Sequence, residues 1–91
     1  MITSLVGTPQ VLTMSGTQQT VTVATNSGLA PVKVRVATNG QPAFVNLGAA
    51  ATSQSVLVPA NTVEHFKFNS TSTISVLQAG TAGIVSIVAI S

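Results

Sequence analysis

The sequence predicts an all-β chain folded as an antiparallel two-sheet sandwich. Three observations lead there. β-branched Val, Ile and Thr dominate, and these residues fit pleated, half-buried surfaces. No apolar stripe at i, i+3, i+4, i+7 runs for the length of a helix. Short runs of strand type instead alternate with Gly, Pro, Asn and Ser, as in sandwiches and small barrels. At 91 residues the chain reads as one domain over 1–91. No segment has the composition of a linker, and no internal repeat is visible.

The elements follow in order. Ile2–Val6 is the weakest strand candidate, so residues 1–10 are expected to form an extended N-terminal arm or an edge strand. Strands are then predicted near Val11–Met14 and Thr20–Ala24. Val32–Ala37 alternates: Val32, Val34 and Val36 share one face, Lys33 and Arg35 the other. Asn39-Gly40 follows, and both residues tolerate positive φ, which suits a tight hairpin. Pro42 places the next strand, Ala43–Leu47, at an edge or after a loop. Ser55–Val58 leads through Pro59-Ala60-Asn61 into Val63–Phe68. There Phe66 and Phe68 share a face with Glu64, opposite Val63, His65 and Lys67. Thr73–Leu77 passes through Ala79–Gly83 into Ile84–Ile90. This last run is apolar on both faces, with Ile84, Val88 and Ile90 on one and Val85, Ile87 and Ala89 on the other. A strand of that kind is buried on both sides. In a thin two-layer domain the outer covering is expected from another subunit.

Only Lys33, Arg35, Glu64 and Lys67 are charged, and Asp, Cys, Trp and Tyr are absent. Soluble domains usually carry roughly a quarter charged residues. The scarcity removes most groups that do chemistry. It also removes the like-charge repulsion that keeps proteins monomeric. The apolar fraction of 45% is ordinary, so low charge does not signal disorder here. A pI near 10.0 overstates the basicity, since the net charge of +2 comes from three basic residues against one acid. Lys33 and Arg35 lie close together without interleaved aromatics. The sequence therefore shows neither a clustered basic face nor a stacking platform, and no nucleic-acid partner is expected. No basic, apolar secretory leader is visible at the N-terminus. The longest aliphatic stretch, Gly83 to Ile90, is broken by Ser86 and falls far short of the ~20 apolar residues of a membrane helix.

Candidate sites for chemistry are few. Glu64 and His65 are the only acid and the only histidine. Adjacent strand residues point to opposite faces, so the two cannot easily orient each other. A zinc site takes three or four protein ligands, and glycoside hydrolysis takes two carboxylates. The serines have only His65 as a base, and no Gly-x-Ser-x-Gly elbow occurs. Gly80 and Gly83 read as turn glycines, with no phosphate-cradling loop followed by Lys. Asn69-Ser70-Thr71 matches a glycosylation acceptor, a chance match in a chain this rich in Asn, Ser and Thr. Low aromatic content weighs against a sugar-stacking lectin. No catalytic, cofactor-binding or metal-ligating residue is assigned, no cofactor is expected, and the chain does not read as an enzyme. Lys33 and Arg35 could grip a carboxylate or phosphate, or form a solvated strand face.

Three stretches carry a resemblance: Val32 to Gly48, Val56 to Phe66 and Ile74 to Gly83. Their order resembles small virion-associated β-sandwich proteins of tailed bacteriophages. In those a Val-rich strand leads through Asn-Gly to a Phe-Val…Gly strand. A Val-Pro-Ala-Gly/Asn-Thr-Val-Glu-x-Phe strand and a closing Ala-Gly-Thr-Ala strand follow. The likeness spans roughly residues 20–90 and is strongest from Pro59 to Phe66. It is a pattern of strands and turns, not a catalytic signature. The chain departs from it in its scarcity of acids and its long apolar ending.

The resemblance implies a capsid decoration or cement protein, jelly-roll-like and homotrimeric. Such a protein sits on the outer capsid surface of the virion and binds and stabilises the shell of major capsid protein. It has no nucleic-acid, membrane or small-molecule partner. The alternative is a receptor-binding or adaptor module of a phage tail or head fibre. A cement protein needs edges and faces that bury against neighbours, and exposed edges are pairing templates. The residues expected at an oligomer or capsid interface, or in the core just beneath it, are Lys33, Arg35, Ile84, Ile87, Val88 and Ile90.

Overall fold

The computed structural model describes residues 5–26, 28, 30–68 and 71–90. Part of the weak N-terminal run (residues 2–4) and two of the three acceptor-motif residues, Asn69 and Ser70, lie outside them. Among the described residues there is no helix. Eight strands follow one another: β1 Gln10–Thr13, β2 Gln19–Thr22, β3 Lys33–Asn39, β4 Ala43–Leu47, β5 Val56–Val58, β6 Val63–Lys67, β7 Thr73–Gln78 and β8 Ile84–Ile90. Each lies where a β-branched run predicts it.

The strands form two four-stranded antiparallel sheets, ordered β1-β8-β3-β6 and β2-β7-β4-β5. The pairings are nested: β1 with β8, β2 with β7, β3 with β6 and β4 with β5. This is a long hairpin rolled over onto itself, the winding of a jelly roll. Of the consecutive strand pairs only β4–β5 closes a hairpin within one sheet. The Asn39-Gly40 turn is therefore not the hairpin its sequence suggests. It carries the chain from the first sheet to the second. Its local chemistry is as expected, since Gly40 has φ +91°. The turn is tied to the neighbouring crossover, where Asn61 Oδ1 accepts a bond from the Gly40 amide at 2.9 Å. Asn39 itself stays in β3, so only the glycine takes positive φ; a turn-prone dipeptide marks a reversal but not the sheet the next strand joins.

The core lies between the sheets. Val34, Val36, Val85, Ile87 and Ala89 of the first sheet meet Ala43, Val45, Val58, Ile74 and Val76 of the second, with Met14, Val23 and Phe68 completing the cluster. The alternation of β3 holds for Val34 and Val36, but Val32 precedes the strand and is exposed. It lines an open concavity with Ala30, Pro31 and Phe68 instead.

β8 differs from expectation in one respect. Its inner side is Val85, Ile87 and Ala89, all in the core. On its outer side Val88 and Ile90 are buried within the single chain, without a second subunit. β8 is an interior strand, and Arg35 and Lys33 lie directly beside Val88 and Ile90 on the same face. Long cationic side chains lay their methylene stems along apolar neighbours.

Before β1 the chain already touches β8. Leu5 bridges to Ile90, and the Val6 amide donates to the Ala89 carbonyl at 3.0 Å. The Val6 carbonyl accepts from the Asn26 amide at 2.8 Å. The described part of the N-terminal segment is thus an extension of the sheet edge.

Candidate functional site

The outer face of the β1-β8-β3-β6 sheet gathers the features that a partner could read. Directly opposed residues in antiparallel strands share a face, so the register lays this surface out row by row. Leu5, Ile90, Lys33 and Lys67 form one row across the sheet. Val88, Arg35 and His65 form the next. Val11, Ser86, Ala37 and Val63 form a third, and Thr13, Ile84 and Asn39 a fourth.

Two features stand out. All three cationic side chains and the single histidine occupy one block of four on β3 and β6, with Lys33 opposite Lys67 and Arg35 opposite His65. The rest of the face is neutral and largely aliphatic. Leu5, Val11, Val63 and Ile84 are 59%, 64%, 45% and 44% exposed, and they are four of the seven large exposed hydrophobics among the described residues.

The basic block corrects the reading that no clustered basic face exists. Lys33 and Arg35 are visible as a pair in the sequence, but β6 doubles them. That pairing joins segments separated by β4 and β5, so nothing local announces it. The alternating His65 and Lys67 opposite Phe66 were the available signal.

Of the six residues expected at an interface, the structure brings Lys33, Arg35, Ile84, Val88 and Ile90 to this one face. Lys33 and Ile84 are exposed, Arg35 is half-buried, and Val88 and Ile90 are covered. Ile87 points the other way and belongs to the core. Sequence reasoning missed Leu5, Val11, Val63, His65 and Lys67 as members of the surface. Glu64 and His65 fall on opposite sides of β6, His65 opposite Arg35 and Glu64 opposite Val36. The one acid is therefore off the cationic face. Among the described residues no three His, Cys, Asp or Glu come together as a metal set.

A concavity of about 300 Å³, apart from this face, is lined by Ala30, Pro31, Val32, Phe68, Thr71 and Ser72. It offers two hydroxyls and no charge. No protein-family model matches the chain, and no curated protein matches it.

Proposed function

We propose that this chain is a structural virion protein of the decoration or cement type, binding and stabilising the shell of major capsid protein from the outer capsid surface. The observation that carries the reading is the outer face of the β1-β8-β3-β6 sheet. It is a broad strand surface on which the cations and most of the exposed aliphatic side chains are collected. Burial of such a surface gives adhesion without chemistry. The trimeric state and the virion location are carried by the resemblance of residues 20–90.

The area of the face bears on the copy number. Two strands of seven residues, one of five and one of four, about 4.8 Å apart and at about 3.4 Å per residue, make a flat face of roughly 375 Å². A stable interface buries about 800 Å² per partner. One copy alone therefore holds weakly, and copies joined to one another gain by avidity.

The test is quantitative mass spectrometry of purified particles. Copies commensurate with the shell subunits support the reading. A few copies per particle point to a tail or head-fibre adaptor, which the Ala30–Ser72 pocket favours as a receptor end-group site. Absence from particles overturns both.

A further inference from the structure

We propose that the outer face of the β1-β8-β3-β6 sheet docks onto an acidic protein surface, with partner carboxylates meeting Lys33, Arg35 and Lys67 and a partner apolar patch meeting Val11, Val63 and Ile84. This deepens the decoration reading and rests on it. It names the face used and the chemistry of the shell surface that receives it.

The argument starts from an electrostatic tension. Like charges directly opposite in a sheet are destabilising, yet Lys33 faces Lys67, and Arg35 stands on the same face of β3. No acid on that face offsets them, because Glu64 lies on the other side of β6. Edge protection accounts for part of this. β6 is an edge strand, and lysines on an edge discourage stray pairing. It does not account for Lys33 and Arg35, which stand on β3, an interior strand between β8 and β6. In a chain with four charged residues, concentrating every cation on one block leaves a counter-charge to be supplied from outside.

A second copy of this chain cannot supply it. The sequence contains one side-chain carboxylate, Glu64, and two such faces laid together would oppose cation to cation. Nucleic acid fits less well than protein. The face has no aromatic platform, and its two remaining rows, Val11-Ser86-Ala37-Val63 and Thr13-Ile84-Asn39, are uncharged and expose Val11, Val63 and Ile84. Those rows match an apolar patch rather than a phosphate backbone. Interfaces of protein with protein combine such a dry centre with a charged rim.

The experiment uses particles that carry the protein. Zero-length carbodiimide coupling joins a lysine amine to a carboxylate only in contact, and the chain has only Lys33 and Lys67. Amide links from Lys33 or Lys67 to Asp or Glu of the shell protein are expected. Raising the salt should release the protein, as exposed charge pairs are screened. The exposed pair variant K33Q/K67Q should keep its fold and resist heat at least as well as the wild type. Its particle occupancy should fall roughly tenfold at moderate salt, the sum of modest surface pairs. V63S and I84S, also at exposed positions, should lower occupancy without touching the charges.

Three results overturn the docking face while leaving the decoration reading intact. One is full occupancy of all these variants on particles that hold the wild type. Another is exclusive coupling of either lysine to Glu64 of a second copy, which makes self the occupant. The third is release by nuclease, which makes nucleic acid the occupant. Wild-type protein absent from particles would instead defeat the decoration reading, and this proposal with it.

Discussion

At the residue scale, one polar junction fastens an end of the sandwich. Thr38 is buried at the end of β3. Its hydroxyl donates to the Pro59 carbonyl at 2.5 Å and accepts from the Thr62 amide at 3.1 Å, while its own amide donates to the Thr62 carbonyl at 2.9 Å. The end of β3 is thus fastened to the β5–β6 crossover by the Thr38 side chain, beside the bond from the Gly40 amide to Asn61 Oδ1. Thr38→Val keeps the shape and removes the hydroxyl, leaving the Thr62 amide and the Pro59 carbonyl without that partner. An orphaned buried group costs about 1–3 kcal/mol. The urea midpoint should fall accordingly with an unchanged slope, and an unchanged midpoint would show the junction to be idle. Gly7 makes a second residue-scale case. A Cβ there would lie 2.4 Å from the Ala24 carbonyl oxygen and 3.2 Å from Ala89 Cβ. Backbone cannot yield as a side-chain tip can, so Gly7→Ala should destabilise by about 1–3 kcal/mol, read as a loss of melting temperature. Neither role was legible. A threonine in a β-rich chain looks like any strand residue, and Gly7 has no turn signal around it. Both depend on what another segment does nearby.

At the element scale, β8 shows what a strand pattern can and cannot decide. The period of two correctly sorts Val85, Ile87 and Ala89 from Ile84, Val88 and Ile90. It cannot say which set faces the core when both are apolar. The pairing of β8 between β1 and β3 decides it. The consequence is a contrast between Ile87, fully buried in the core, and Ile84, which is 44% exposed. Ile87→Ala should cost about 2–5 kcal/mol. Ile84→Ala should stay within about 0.5 kcal/mol, the usual range for surface changes. Equal losses from the two variants in denaturant titrations would contradict the assigned facing. The β4–β5 loop makes a related point. It lies against the outer side of β7, where the Ala51 amide donates to Ser75 Oγ at 2.9 Å and Ser75 Oγ in turn donates to Gln18 Oε1. The sequence shows residues 48–54 only as the interval between two strand runs. The buried serine that anchors the loop has no signature of its own.

At the scale of the whole molecule, the strands were legible and their winding was not. Strand runs are local, whereas nesting β1 against β8 and β3 against β6 depends on pairs far apart in the chain. Only the resemblance pointed to a rolled hairpin. The same nesting that sends every cation to one sheet leaves the outer face of the other without charge. There Leu57, Phe44 and Leu77 stand in one row across β5, β4 and β7, with Leu57 half-exposed. The two outer faces are therefore chemically distinct, one cationic with an aliphatic field, the other uncharged, with that one apolar row beside the polar rows Thr20-Ser75-Asn46 and Thr22-Thr73. If copies associate as proposed, the neutral face suits that contact, because it brings no like charges together. Association and docking should then respond oppositely to salt. Electrostatic docking weakens as salt rises, whereas apolar contacts hold or strengthen. In sedimentation velocity the association of the isolated protein should persist from low to high salt. Leu57→Asp should shift it toward monomer, since burying an unpaired carboxylate is costly. K33Q/K67Q should leave it unchanged. Dissociation by salt alone, or association untouched by Leu57→Asp, would mean that the neutral face does not hold the copies together.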